Sequence, residues 1–376
     1  MKQGQKQGQI QVTFHWIYVL IAGAVILLFF FSLILSQKQR SEQVLQQDIT
    51  KIIESIFTAA SLSEKTKTTV DTNLDQYVLF FNCRDGQGEY GLEGSGSSVQ
   101  DSVYPLFSPA EIRSPQLSLW SLPYKLPFKV GDFLLVTAPN IKYVLMGTTP
   151  FSQEFLEETK PDPAVRFRIN TLAVNPADLA TVDPGKNQQV RFIDFTGGTI
   201  QEGVAVPEKV RSLDDPTVTA VVFSAENIIT YFQKKGEIWK QRGQSLHLLS
   251  LGGERDAAKY AALFAPDAET YQCNFRKVLQ RLSFLNEIYG GKEIANDIPG
   301  GKLKEIIDFY DAHPDLTLSN TCKPYVLAMQ GALQSHQNEV SACLASEAAC
   351  LDLVSSAQQL RQANQNLIVN DCISLY

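Results

Sequence analysis

From Phe14 to Leu35 the chain is apolar, aromatic or small at every position except His15 and Ser32. A helix needs ~20 such residues to cross a hydrocarbon core, so the run predicts an N-terminal transmembrane helix that meets the lipid bilayer through these residues. Trp16 and Tyr18 stand where amphipathic rings favour the headgroup layer, and Lys38 and Arg40 mark the far boundary. Two other readings compete. A buried core helix rarely lacks a polar face for so long. A cleaved signal peptide has a shorter apolar part, about 7–15 residues, closed by a small-x-small site. Leu33-Ile34-Leu35-Ser36-Gln37-Lys38 offers no good site, which favours an uncleaved anchor. Lys2 and Lys6 before the run are balanced by Lys38, Arg40 and Lys51 after it, so flanking charge does not orient it.

The net charge of −7 over 376 residues argues against nucleic acid as a partner, because that binding displaces counterions with a basic surface. It also argues against a body held on anionic lipid by charge. Ahead of the apolar run the chain reads Lys6-Gln7-Gly8-Gln9-Ile10-Gln11-Val12-Thr13. This segment resembles the archaeal class III signal of type IV pilins, departing from it at Gln11, where Ser is usual, and at Thr13, where Glu is common. The resemblance implies processing after Gly8 and a pilin-like surface subunit. The Phe14-His15-Trp16-Ile17-Tyr18 start and Tyr271-Gln272-Cys273-Asn274 resemble uncharacterised single-pass membrane proteins of archaea, a likeness that implies no activity.

Beyond the run, Val44, Leu45, Ile49, Ile52, Ile53, Ile56 and Phe57 keep the 3.6-residue spacing of a helix with one apolar stripe. The spacing predicts a stalk that continues the anchor and ends within 61–69. Its stripe packs on the chain's own body or meets a partner helix, self-association included. Residues 77–83 read as a strand and 85–98 as a flexible Gly/Ser-rich loop. No G-K-[ST] follows its glycines, which excludes a Walker phosphate site. Between Leu117 and Gly147, apolar runs broken by Pro123, Pro127 and Pro139 read as short strands or hairpins. A helix is then expected over 153–159, with strands near 165–173, 189–195 and 217–223. A helix over 225–242, a strand over 245–251 and a helix over 254–264 complete the alternation. Such alternation implies a parallel sheet with crossovers. Helices follow over 268–289, 302–312 and 323–369, with Pro324 in a first turn. The expected fold is an α/β body with a mixed, degenerate Rossmann-like sheet, plus a C-terminal helical hairpin, on an N-terminal transmembrane helix. The segments are a tail (1–13), the anchor (14–36), the stalk and linker (37–69), the α/β body (70–265) and the helical region (266–376).

The six cysteines are Cys83, Cys273, Cys322, Cys343, Cys350 and Cys372. The midpoint of Cys322 and Cys372 is 347, and that of Cys343 and Cys350 is 346.5. Nested pairs with one centre are what an αα-hairpin produces when it turns near Ser346-Glu347. In one unbroken helix Cys343 and Cys350 would lie about 10.5 Å apart along the axis, too far to bridge. The spacing therefore predicts Cys322–Cys372 and Cys343–Cys350, which leaves Cys83–Cys273. The competing reading is reduced core cysteines. Disulfides would place the body outside the cytoplasm.

The sequence offers no candidate catalytic residue, cofactor or metal site. His15, His247, His313 and His336 are not spaced as ligands, and no C-x-x-C exists. His247 falls in an expected buried strand. Three expected strands end in Thr196-Gly197-Gly198, Ser224-Ala225-Glu226 and Gly252-Gly253-Glu254. Ligands of open α/β sheets bind beyond the strands' carboxyl ends, so Thr196, Gly197, Gly198, Ser224, Glu226, Gly252 and Gly253 form a candidate crevice. Ordinary tight turns are the alternative. The functions in play are an anchored extracytoplasmic structural or protein-interaction module, a pilin-like surface subunit, and a tethered α/β ligand-binding protein or enzyme.

Overall fold

The computed structural model describes residues 8–63, 66–72, 74, 76–161, 166–224, 227–290, 301–314 and 317–376. Helix α1 runs without a break from Gly8–Leu62. Its two ends differ in what they touch. Toward the C-terminus Thr50, Ile53, Phe57 and Ala60 are buried and Ile49 and Ile56 pack at the margin of the core. The Phe57 ring stacks on Phe81 at 6.0 Å and lies 5.2 Å from Tyr90. Ile49, Ile53, Ile56 and Phe57 of the stalk stripe thus pack on the body, whereas Val44, Leu45 and Ile52 stay exposed.

Farther up α1, the large apolar side chains between Leu20 and Phe31 are 55–71 % exposed. The expected transmembrane helix is corrected here. Among the described residues, no helix is long and apolar enough to cross a membrane. Lys6 and Gln7 of the pilin-like signal lie outside the described residues.

Two antiparallel-rich sheets follow. The first orders β1 (Lys67–Asp71), β7 (Gln116–Lys125), β8 (Lys129–Thr137) and β5 (Leu106–Phe107) side by side. The second orders β4 (Ser98–Asp101), β3 (Gln87–Leu92), β2 (Leu79–Arg84) and β6 (Glu111–Ile112). The expected flexible loop over 85–98 is instead a hairpin and its return. Asp85 (φ 53°) and Gly86 (φ 79°) join β2 to β3 with Arg84 paired to Gln87. An Asp-Gly pair with both φ positive is the two-residue turn whose twist matches flanking strands.

The third sheet has the order β10-β9-β11-β12-β13-β14, with β15 paired to β13. Its parallel part comprises β9 (Ile141–Met146), β10 (Asn170–Val174), β11 (Gln189–Asp194) and β12 (Val218–Phe223). Helix α2 (Pro150–Glu158) makes the β9–β10 crossover, capped by Thr149 and Ser152 in a reciprocal box. Side chains alternate between two apolar clusters. Leu145, Ile193 and Val221 face the main core under α2 and α3 (Ala257–Phe264); Val144, Phe192 and Ala220 face a smaller one with Val182, Val210 and Trp239. Turns and 3-10 segments cover that second face, where a Rossmann-like sheet has helices.

The parallel alternation stops at β12. The expected helix over 225–242 is the antiparallel pair β13 (Ile228–Lys235) and β14 (Ile238–Gln241). Ile228-Ile229-Thr230-Tyr231-Phe232 is β-branched and aromatic, and Gly236 (φ 63°) turns the chain, a hairpin pattern rather than a helical one. Of the expected strand over 245–251 only β15 (Leu246–His247) forms, and His247 is exposed, not buried.

The helical end contains α4 (Ala268–Gly290), α5 (Lys302–Ala312), α6 (Thr317–Ala345) and α7 (Leu351–Val369). Pro324 lies inside α6, not in a first turn. Helices α6 and α7 form the expected hairpin, turning at Ser346 and a 3-10 turn over Glu347–Cys350. All three cysteine pairs are disulfides, with Cα–Cα distances of 5.8 Å (Cys83–Cys273), 5.6 Å (Cys322–Cys372) and 4.4 Å (Cys343–Cys350). Cys322 and Cys372 clasp the open end and Cys343 and Cys350 the tip. Bonds of this kind persist in oxidising surroundings, so the body belongs to an extracytoplasmic or secreted protein. Within the hairpin, His336 is fully buried and its Nδ1 lies 3.0 Å from Ser356 Oγ. Ser356 gives its own proton to the Leu353 carbonyl, so Nδ1 is the donor of that bond.

Candidate functional site

The strand-end crevice is built inward. Asp194, at the end of β11, is fully buried. Its carboxylate accepts from the backbone N–H of Thr196 (2.8 Å), Thr199 (2.9 Å) and Ile200 (3.0 Å) and from Thr196 Oγ1 (2.6 Å). Amides that would bind an anion are therefore taken by an internal carboxylate. Gly197 (φ 75°) lies beside Ser224: a Cβ there would stand 3.6 Å from the Phe223 carbonyl and 3.8 Å from Ser224 Cα. So the Thr196-Gly197-Gly198 turn and Ser224 are neighbours. Between them and α2, Phe195 stacks on Phe223 at 5.0 Å, and Phe151 meets the two rings at 5.8 and 6.1 Å. Gly147 closes the gap between β9 and β11, since a Cβ there would lie 3.0 Å from Thr196 Cγ2. Gly252 and Gly253 follow β15, where the Gly252 amide donates to Ser250 Oγ and the neighbouring Arg255 amide reaches Glu154 of α2; a Cβ at either glycine would meet nothing within 4 Å. Glu226 lies outside the described residues.

Opposite charge has a structural use on the same sheet. Arg191 of β11 is buried and donates to the carbonyls of Ala262, Leu263, Ala265 and Pro266. It thereby satisfies the C-terminal carbonyls that α3 leaves unpaired. Burial lowers its pKa.

The larger concavity lies elsewhere. A cleft of ≈ 590 Å³ opens where the β2–β3 turn, the β14–β15 segment, α4 and the α6–α7 tip meet. Leu246, Leu249, Tyr271, Phe275 and Leu279 form a buried apolar floor. The rim is exposed and polar: Arg84, Asp85, Gln244, His247, Glu269 and Arg276, with Ala345, Ser346 and Leu351 from the tip. An apolar floor with a few polar groups, at this volume, is the usual make-up of a ligand site. Two disulfides line it, Cys83–Cys273 through Cys273 and the tip pair through both its members. The Gly86 amide approaches Cys273 Sγ at 3.2 Å, which ties the β2–β3 turn to α4.

Sharing Glu269 with the cleft is a groove of ≈ 490 Å³ along β13 and β14. It carries Lys234, Lys235, Lys240 and Arg242 against Asp215 and Asp267. Lys234 is buried, and its Nζ donates to the Leu213 carbonyl (2.8 Å) and Asp215 Oδ1 (2.5 Å). That hydrogen bond, with the Gly236 amide, lowers the Asp215 pKa. Lys235 and Lys240 are exposed. Cleft and groove together are less acidic than a chain of net charge −7.

Among the described residues no cluster of His, Cys, Asp or Glu could hold a metal ion. The cleft escaped the sequence reading because its walls come from four distant stretches. Its one legible trace was covalent: Cys273, Cys343 and Cys350 all face it. No family model, curated protein or solved structure matches the chain.

Proposed function

We propose that the chain is an extracytoplasmic protein-interaction module whose recognition face is the cleft beside the α6–α7 tip. The observation that carries this reading is the ≈ 590 Å³ concavity with an apolar floor and a charged rim. Its occupant is an extended peptide segment with an apolar anchor and acidic neighbours. The anchor enters over Tyr271 and Phe275, and the acidic residues meet Arg84, Arg276 and the lysines of the adjoining groove. Buried aromatic anchors supply most of such binding and rim charges mainly steer it. The exposed apolar residues of α1 provide a second contact, with lipid, that keeps the module near a membrane surface.

The test is selection of peptides from a random display library on the oxidised full chain, repeated with Ala345→Arg and Leu351→Asp. Both positions line the cleft and are exposed, so the fold tolerates the change. Enrichment of apolar–acidic sequences that lose at least tenfold in affinity for either variant supports the reading. Peptides indifferent to both variants, or no enrichment, overturn it. For lipid, flotation with neutral phosphatidylcholine vesicles should fail when Phe29, Phe30 and Phe31 are replaced by Ser; unchanged flotation, or none by the parent chain, removes that contact.

A further inference from the structure

The three disulfides differ in what surrounds them. Cys322 and Cys372 are buried between α6 and α7, and Cys83 and Cys273 are buried under the β2–β3 turn. In the tip pair Cys343 is 5 % exposed, whereas Cys350 is only partly buried and faces the cleft. A thiol entering the cleft therefore meets one disulfide sulfur before the others. The Cys350 sulfur has the carbonyl oxygens of Cys343 (3.7 Å) and Ser346 (4.0 Å) beside it, a setting that disfavours negative charge on that sulfur. Opening the tip also leaves the hairpin held: Cys322–Cys372 still joins α6 to α7, and the His336–Ser356 contact lies away from the tip.

We infer that Cys343–Cys350 is a thiol-exchange site, at which Cys350 forms a mixed disulfide with a thiol compound held in the cleft. The inference rests on the reading that the cleft admits ligands, but not on the peptide as its occupant. The incoming thiolate attacks Cys350 Sγ along the line of the S–S bond. A new bond forms between its sulfur and Cys350, the Cys343–Cys350 bond breaks, and the electron pair leaves on Cys343 Sγ, which takes a proton from water. Attack by Cys343 on the mixed disulfide reverses the step and expels the thiol. Attack by a second thiol completes a two-electron exchange: both cysteines are reduced and the two external thiols are oxidised to one disulfide. Exchange rates follow access and the sulfur attacked, and both select Cys350.

The probe is reduced glutathione, added to the oxidised full chain without denaturant, with acid quench, alkylation and peptide mapping over time. The expected result is a glutathione adduct on Cys350 with Cys343 alkylated, appearing at least tenfold faster than any opening of Cys83–Cys273 or Cys322–Cys372. Adducts first on another pair, or on Cys343 rather than Cys350, overturn the assignment, as does opening of all three pairs at one rate. A parallel sample carrying Ala345→Arg separates the two proposals. Slower exchange in that variant supports entry through the cleft even if no peptide binds, and unchanged exchange places the attack outside it and refutes the inference.

Discussion

Two concave regions of the body are built in opposite ways. At the carboxyl ends of β9, β11 and β12 Asp194 collects the loop amides and three half-buried Phe rings pack against one another, though Thr196–Gly198 themselves are exposed. Beside the α6–α7 tip, four segments stop short of one another and leave an apolar floor open. The difference lies in what holds the walls. Strand ends a few ångströms apart in one sheet are close enough for side chains to fill the space between them, and close packing is the default of interiors. Of the remote segments that carry Arg84, His247, Tyr271 and Ser346, the first and third are tied by Cys83–Cys273 and the tip is closed on itself by Cys343–Cys350, cross-links that fix positions without filling volume.

The largest expected effect tests that division directly. In the chain-entropy account a disulfide stabilises more as its loop lengthens. The sequence separations are 190, 50 and 7. Removing the pairs as double Cys→Ser variants should cost about 5, 4 and 2.4 kcal/mol in that order, read from denaturant midpoints. A tip pair that costs more than Cys83–Cys273 would break the comparison, because the cleft walls would then depend on the tip.

The next effect is in pH. Burial pushes the His336 pKa down to about 4, with the Leu126 carbonyl opposing. The unfolded chain takes up the proton near the ordinary value of ~6.5, so the neutral folded form is favoured at higher pH. Stability is full above ~6.5 and falls as pH drops toward about 4, by about 3 kcal/mol at the limit. Asp256, whose pKa burial raises, works in the opposite direction: its folded form takes up a proton above the unfolded value of ~3.9, so that share of stability grows as pH falls toward it. Comparing the stability slope of the chain between pH 7 and 4 with that of His336→Asn isolates the histidine: the variant should lack this share of the loss. Equal slopes would remove His336 from the account.

Smaller still is the filling of the strand ends. Phe195→Ala takes away a half-buried ring stacked on Phe223 and should cost about 2 kcal/mol, below the 3–5 typical of a fully buried ring. It should leave binding at the tip cleft unaltered, and a loss of binding there would show the two regions to be coupled. The smallest effect is at Gly86. A Cβ would meet only Arg276 at 3.7 Å, ordinary contact, but φ is 79°, so Gly86→Ala should cost about 1–2 kcal/mol by strain alone, measured by thermal unfolding.

Local and covalent features were the readable ones. The bounds of α4 and α5, the end of α1 and all three disulfides followed from helical spacing and from the shared centre of the nested cysteines. Features that needed two facts weighed together were misread. Asp85-Gly86 signals a tight hairpin, yet the later glycines and serines masked it as a loop. Residues 228–241 carry the alternation and turn of a hairpin, yet the preceding β-α rhythm suggested another crossover helix. The apolar run suggested a span, whereas among the described residues no helix is long and apolar enough to cross a membrane. For the sites, glycines after strands were visible, but not that Asp194 takes up the neighbouring amides of Thr196, Thr199 and Ile200, and the cleft has no contiguous motif at all.

The most direct test of the central claim is backbone amide NMR of the isotopically labelled, oxidised chain, titrated with the best apolar–acidic peptide from selection. The account predicts dose-dependent shifts at Arg84–Gly86, Gln244–His247, Gln272 and Ser346, with Thr196–Gly198 and Ser224 unmoved. Shifts centred on Thr196–Gly198 and Ser224, with the tip residues still, would contradict it.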